Sequence, residues 1–175
     1  MSRRRIAVVG LGNLMRIDDA VGMLAIQRLR TEPRLPNGVL VIEGGTLGLD
    51  LLHPLSGVTR LLALDAVEAG VQPGTVLRFD GDDVAALPVS KSVHLLGFAD
   101  LIGAMQLSGD APEEVVVLGV QPQTIDWGTE LTSTVEAALP RLIDAALQQI
   151  DCWSHDEISA SAETGKPVFA ASSAG

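Results

Sequence analysis

Short runs in which nearly every position is apolar, Ile6 to Val9, Val39 to Ile42, Leu61 to Leu64, Val76 to Phe79 and Val115 to Leu118, predict five β-strands. Between them, apolar residues return at the spacing of one helical face. Val21, Leu24, Ala25 and Leu29 mark one helix, and Leu95, Phe98, Leu101, Ile102 and Met105 a second. A third is predicted from Leu131 to Ile150, where Val135, Ala138, Leu139, Leu142, Ala146 and Ile150 keep the period and Pro140 introduces a kink. Leu47 to Leu52 add a further turn or two.

Strands that are apolar throughout are covered on both faces, and strands separated by helices pair in parallel. The expected fold is therefore α/β, a three-layer α/β/α sandwich around a mostly parallel, five-stranded sheet. The connection Glu68-Ala69-Gly70-Val71-Gln72-Pro73-Gly74 is too short for a crossover helix, so the third and fourth strands are expected to pair as an antiparallel hairpin, making the sheet mixed. After Ile150 the period fades toward Ala170-Ala171-Ser172-Ser173-Ala174-Gly175. One domain is expected over residues 1–150, followed by a mobile tail over 151–175.

Composition narrows the setting. A chain of 175 residues, 47% apolar and 19% charged, suits one globular domain able to build a core without staples. Its 12 basic and 22 acidic residues give a net charge of −10, which repels phosphate backbones and argues against a nucleic-acid partner. The single cysteine, Cys152, cannot form an internal disulfide, and a reducing, cytoplasmic location is expected. Met1-Ser2-Arg3-Arg4-Arg5 before Ile6 to Val9 imitates a secretory signal, but Asn13, Arg16 and Asp18 interrupt the apolar stretch. No run approaches the about 18 apolar residues of a membrane-spanning helix, so no membrane partner is expected.

The candidate chemistry gathers at the ends of predicted strands. Gly10-Leu11-Gly12-Asn13-Leu14-Met15 begins like a dinucleotide fingerprint, yet Met15 stands where a third glycine should let helix and strand pack closely, and no organic cofactor is expected. Asp18 and Asp19 follow at the start of the first helix. Asp18 suits a helix N-cap, which leaves Asp19 as the freer carboxylate. Asp65 directly follows a strand, where ligands of open α/β sheets collect, and His94 opens the second helix. Two carboxylates and one imidazole at one rim of a sheet suit a divalent metal with open positions. His53 beside Pro54, and Cys152 with His155 in the tail, are read as structural, and no Gly-x-Ser-x-Gly elbow supports a serine hydrolase.

Taken together, these residues resemble the hydrogenase maturation endopeptidases, which trim the large-subunit precursor of nickel-iron hydrogenases. The resemblance runs from about Arg5 to Ile150. It rests on Gly10-Leu11-Gly12-Asn13 with Asp18-Asp19-Ala20-Val21-Gly22, Glu43-Gly44-Gly45-Thr46, Asp65-Ala66-Val67, Ser92-Val93-His94-Leu95, and Gly119-Val120-Gln121-Pro122 with Ile125-Asp126-Trp127-Gly128. It implies an α/β/α fold, a hydrogenase large-subunit precursor as partner, and removal of its C-terminal extension. It further implies that Asp19, Asp65 and His94 contact a nickel ion carried by that precursor. Two departures stand out: Asp19 is shorter than the glutamate common in the family, and Glu43 replaces an aspartate. Hydrolysis also needs an activated water and an oxyanion stabiliser, for which the metal, a carboxylate base and the Gly44-Gly45-Thr46 amides all remain open. Two rival readings are a peptidyl-tRNA hydrolase, which shares the Gly-Leu-Gly-Asn opening but needs a basic surface, and a nickel-dependent chaperone that holds the precursor without cutting it.

Overall fold

The computed structural model describes residues 5–81, 83 and 93–163. The loop 87–92, the opening residues Met1 to Arg4 and the end of the expected tail, 164–175, lie outside the described residues. The strands are β1 (Ile6–Leu11), β2 (Leu40–Gly45), β3 (Arg60–Ala66), β4 (Val76–Asp80) and β5 (Glu114–Val120). The longer helices are α1 (Val21–Leu29), α2 (Val93–Ser108) and α3 (Ser133–Glu163), with single 3₁₀ turns at Ile17–Ala20 and Gly48–Leu51. Every apolar run expected to be a strand is one.

The sheet order is β2-β1-β3-β5-β4, parallel except for β4. The expected hairpin of the third and fourth strands is not formed. β4 runs antiparallel, but to β5, with Val76 opposite Val120 and Asp80 opposite Val116. The reason is burial. β5 presents five consecutive buried residues, Val116 to Val120, and takes a place beside β3 with cover on both faces, whereas β4 carries Arg78 and Asp80 and suits the edge. The short segment after β3 passes over the end of β5, tied there by Val67 N–H to the Val120 carbonyl and Gly74 N–H to that of Gln121.

Alternation along the strands divides the core into the two halves of a three-layer sandwich. Val8, Leu62, Leu64, Val116 and Leu118 pack under α1 and α3. Ala7, Val9, Leu61, Ala63 and Val117 pack under α2 and the Leu51–Leu55 turn. Helix α3 runs through Pro140 and does not stop at Ile150 but continues to Glu163. Trp153 is 1% exposed within the first core, so the part of the expected tail up to at least Trp153 belongs to the packed domain. Cys152 and His155 accordingly lie on a helix, both exposed, with His155 3.4 Å from Asp151 one turn earlier.

Glycine sets the approach of α1 to the sheet. A Cβ on Gly22 would lie 2.2 Å from the Leu64 carbonyl oxygen and 2.4 Å from that of Leu11, so the helix rests directly on the backbones of β1 and β3. The close helix–strand contact that a third glycine provides in a dinucleotide fingerprint is thus made here by Gly22, and Met15 is free to be exposed. This contact holds the start of α1 against the carboxyl ends of the central strands. No helix among the described residues is long and apolar enough to cross a membrane.

Candidate active site

The site forms where β1 and β3 end. The chain leaves β1 through Gly12, whose φ of 125° and close approach to the Asp19 carbonyl (1.9 Å to a built Cβ) exclude any side chain. It then reverses into the 3₁₀ turn Ile17–Ala20. Ile17 has a φ of 31°, a strained value for a β-branched residue, and is held there by its N–H donating to the Gly128 carbonyl. In this turn Asp18 and Asp19 make two separate sets of contacts.

Asp18 is fully buried and serves the neighbouring loop. Its Oδ2 accepts the N–H groups of Gln123 (2.8 Å) and Thr124 (3.1 Å), and its Oδ1 accepts that of Thr132 (2.8 Å). The Thr132 hydroxyl lies 3.0 Å from both oxygens. The expectation that Asp18 caps the first helix is corrected: neither the 3₁₀ turn nor α1 has a side-chain cap, and this carboxylate instead anchors the loop from Gln123 to Thr132. Its role is structural, as the sequence suggested, by a contact more than a hundred residues away that no local rule foresees.

Asp19 is 9% exposed. Its Oδ2 accepts the Asn13 N–H at 3.0 Å and lies 2.9 Å from His94 Nε2. Asp65, fully buried at the end of β3, accepts its neighbour Ala66 N–H through Oδ1 at 2.9 Å. His94, half-buried in the first turn of α2, completes the group. One donor atom from each of Asp19, Asp65 and His94 lies within 4.8 Å of the others, the only such group of three or more His, Cys, Asp or Glu side chains among the described residues. The structure therefore brings together the three residues expected to form the site.

The electrostatics follow from this placement. Burial pushes the His94 imidazolium pKa down, but the hydrogen bond it donates to Asp19 and the charges of Asp65 and Asp19 outweigh it, against an opposing effect of Arg16. The net result holds His94 above its ordinary value. Two ligands about 2.1 Å from one cation at a right angle lie about 3.0 Å apart, close to the observed Asp19–His94 spacing, so a cation can replace the shared proton with little movement.

Several neighbours had no role from sequence. Asn13 orients Asp19 through its backbone and turns its own Oδ1 to the Met15 N–H. Gln121, buried at the end of β5, accepts the Ala69 and Val71 N–H groups and donates to Glu68, fixing the loop that follows Asp65. Arg16 donates to the Ile125 carbonyl and lies 5.7 Å from the Trp127 ring centre. A buried glutamine beside a strand end is the one signal that could have been read. At the end of β2, Glu43 pairs with Arg30 at 2.5 Å, and the Gly45 N–H donates to Met23 Sδ, a weak acceptor, at 3.2 Å. His53 is exposed.

Residues 23–149 match the family described as HycI, hydrogenase maturation protease. The chain is 34% identical over 148 residues to the hydrogenase 2 maturation protease of Escherichia coli K12, covering 83% of this chain and 88% of that one. It is 32% identical over 152 residues to the hydrogenase expression/formation protein HupD of Rhizobium leguminosarum, covering 85% and 75%. Among solved structures, the hydrogenase maturating endopeptidase HybD of Escherichia coli superposes with a TM-score of 0.75 at 32% identity, covering 83% of this chain and 93% of that one. Matched over most of its length by the family model and by these relatives, the chain belongs to the hydrogenase maturation protease family.

Proposed function

We propose that this protein is the endopeptidase that removes the C-terminal extension of a nickel-iron hydrogenase large-subunit precursor, and that it recognises nickel already inserted in that precursor through Asp19, Asp65 and His94. The observation that carries the reading is the meeting of these three donors within 4.8 Å at the carboxyl edge of the sheet. Two carboxylate oxygens and one imidazole nitrogen leave coordination positions open, so the protein takes hold of an ion still bound by its client's own ligands. Nickel is in this reading part of the substrate, and no resident metal or organic cofactor is involved.

Binding the ion from both sides fixes the client's peptide against the site, which supplies proximity and makes cutting conditional on metal insertion. Asp19 stays aimed by the Asn13 amide, and Asp65 by its contact with the Ala66 amide at the rigid end of β3. His94 gives up its proton on contact with the ion, and the paired carboxylates balance the added charge. Membership in a protease family favours this reading over a peptidyl-tRNA hydrolase, and the net charge of −10 agrees.

The test is substitution. Asp19→Asn, Asp65→Asn and His94→Gln are expected to fold yet leave a nickel-loaded precursor at its full mass. Normal processing by all three variants would reject the assignment. A wild-type protein that binds the precursor and never shortens it would establish the chaperone reading instead.

A further inference from the structure

Beside the three donors lies a pocket of about 140 Å³ between the Gly48–Leu51 turn and the first turns of α2. Its walls include the apolar side chains of Leu11, Leu51 and Phe98 and the bare backbones of Gly48 and Gly97, with Thr46 and His94 as its polar side chains. Leu11, Leu51 and Phe98 are all buried in the second core, so the pocket is a rigid opening into packed side chains. An apolar cavity of about 150 Å³ accepts one benzene-sized group, which sets the scale here at a single side chain.

The surroundings say what kind of molecule reaches it. Leu14, Met15, Leu47, Leu49, Ile125 and Trp127 are exposed large apolar residues, and each sits in a segment that follows a strand's carboxyl end at this edge of the sheet. An apolar collar around a buried polar group suits an extended peptide better than a small charged metabolite. Resting on the protease reading above, we infer that the pocket beside His94 is a specificity pocket that takes one aliphatic side chain, of about leucine or methionine size, from the client peptide near the bond that is cut.

Gly97 controls the width of this pocket. It lies inside α2, where glycine is unfavourable, so a local reason for it is needed. A Cβ there would meet only the Gly48 Cα, at 3.8 Å, an ordinary contact. Alanine therefore fits the fold, improves the helix and narrows the opening. Gly48 has a φ of 51° and is left unchanged.

The experiment has two arms. In the first, nickel-loaded precursors carrying Asp, Ala, Val, Leu or Met in turn at the residues flanking the cut are offered to the wild-type protein, Gly97→Ala and Gly97→Leu. Cleavage is read as kcat/KM by intact mass. The wild type is expected to prefer Leu or Met over Ala by about 10-fold or more at one of these positions. Gly97→Ala is expected to move that preference to Val or Ala, and Gly97→Leu to abolish it, with nickel binding to each free protein unchanged. In the second arm, N-acetyl-leucinamide is titrated into the wild-type protein and is expected to shift the amide signals of Gly48 and Gly97, whereas N-acetyl-aspartamide is not. Cleavage that ignores both the flanking residues and Gly97, with no shift in the second arm, overturns the pocket and leaves the protease reading intact. Amide shifts in a protein that cuts no precursor support the pocket and overturn the protease reading.

Discussion

Adjacent carboxylates with opposite duties give a sharp test, because Asp18 and Asp19 differ only in what their turn aims them at. Replacing Asp18 with alanine deprives the partly buried N–H groups of Gln123, Thr124 and Thr132, together with the Thr132 hydroxyl, of their acceptor. An unsatisfied buried donor costs about 1–3 kcal/mol, and because these donors are only partly buried and water reaches the gap, the loss is about 2–4 kcal/mol in all. Asp18→Asn keeps one acceptor oxygen but turns an NH₂ group toward a donor, at about 2–3 kcal/mol. Against a total stability of about 5–15 kcal/mol, either change lowers the urea midpoint visibly at unchanged slope. Asp19→Asn, with its amide oxygen in the place of Oδ2, retains the Asn13 contact and exchanges the charge-assisted bond to His94 for a neutral one, a loss of about 1 kcal/mol. Nickel binding to the isolated protein, measured by calorimetry at a temperature where every variant is folded, runs the other way. It is retained in Asp18→Asn and weakened at least about 100-fold in Asp19→Asn, since even groups that merely support a metal ligand are worth 10–100-fold. A stable Asp18→Asn that no longer binds metal would refute the division of roles and move the site to the other acid.

Other expectations follow from the same contacts. Gly22→Ala drives a methyl against two backbone carbonyls and should cost at least about 1–3 kcal/mol in urea denaturation, more than an exposed helical Gly→Ala, which stabilises. Because His94 is held above its ordinary pKa, its protonated form stabilises the fold. That contribution is full below about pH 6.5 and is lost as pH rises through the folded value, so the stability gap between wild type and His94→Gln should be wider at pH 5.5 than at pH 8.5. Nickel competes with the same proton, so affinity for the free ion should rise between pH 6 and pH 8 in the wild type and far less in His94→Gln. Trp153 is buried with an Nε1–H that has no partner among the described residues, so Trp153→Phe should be tolerated within about 1.5 kcal/mol while Trp153→Ala costs about 3–5 kcal/mol by thermal denaturation.

Much of the fold was legible in the chain because parallel, doubly covered strands announce themselves as unbroken apolar runs. Leu61 to Leu64 and Val115 to Leu118 sit at the centre of the sheet for that reason. Strand pairing was harder. The short link after Asp65 invited a hairpin, and only the greater burial available to β5 explains why it separates β3 from β4. The end of α3 was missed because its period weakens after Ile150, although Trp153 still reaches the core. Asp19, Asp65 and His94 could each be placed at a strand end or helix start, and that placement together with a family resemblance was enough to bring them to one rim. Asp18 was out of reach of such reasoning: its partners at Gln123, Thr124 and Thr132 are chosen by tertiary structure, and a helix-start aspartate looks the same whether it caps its own helix or holds a distant loop.

In this reading, cutting depends on an ion presented by the client to Asp19, Asp65 and His94. This dependence is tested most directly by incubating the wild-type protein with one precursor prepared with and without nickel and determining the client's C-terminus by mass spectrometry. The extension is expected to be lost from the nickel-loaded precursor alone. Equal trimming of both, or of neither, would contradict it.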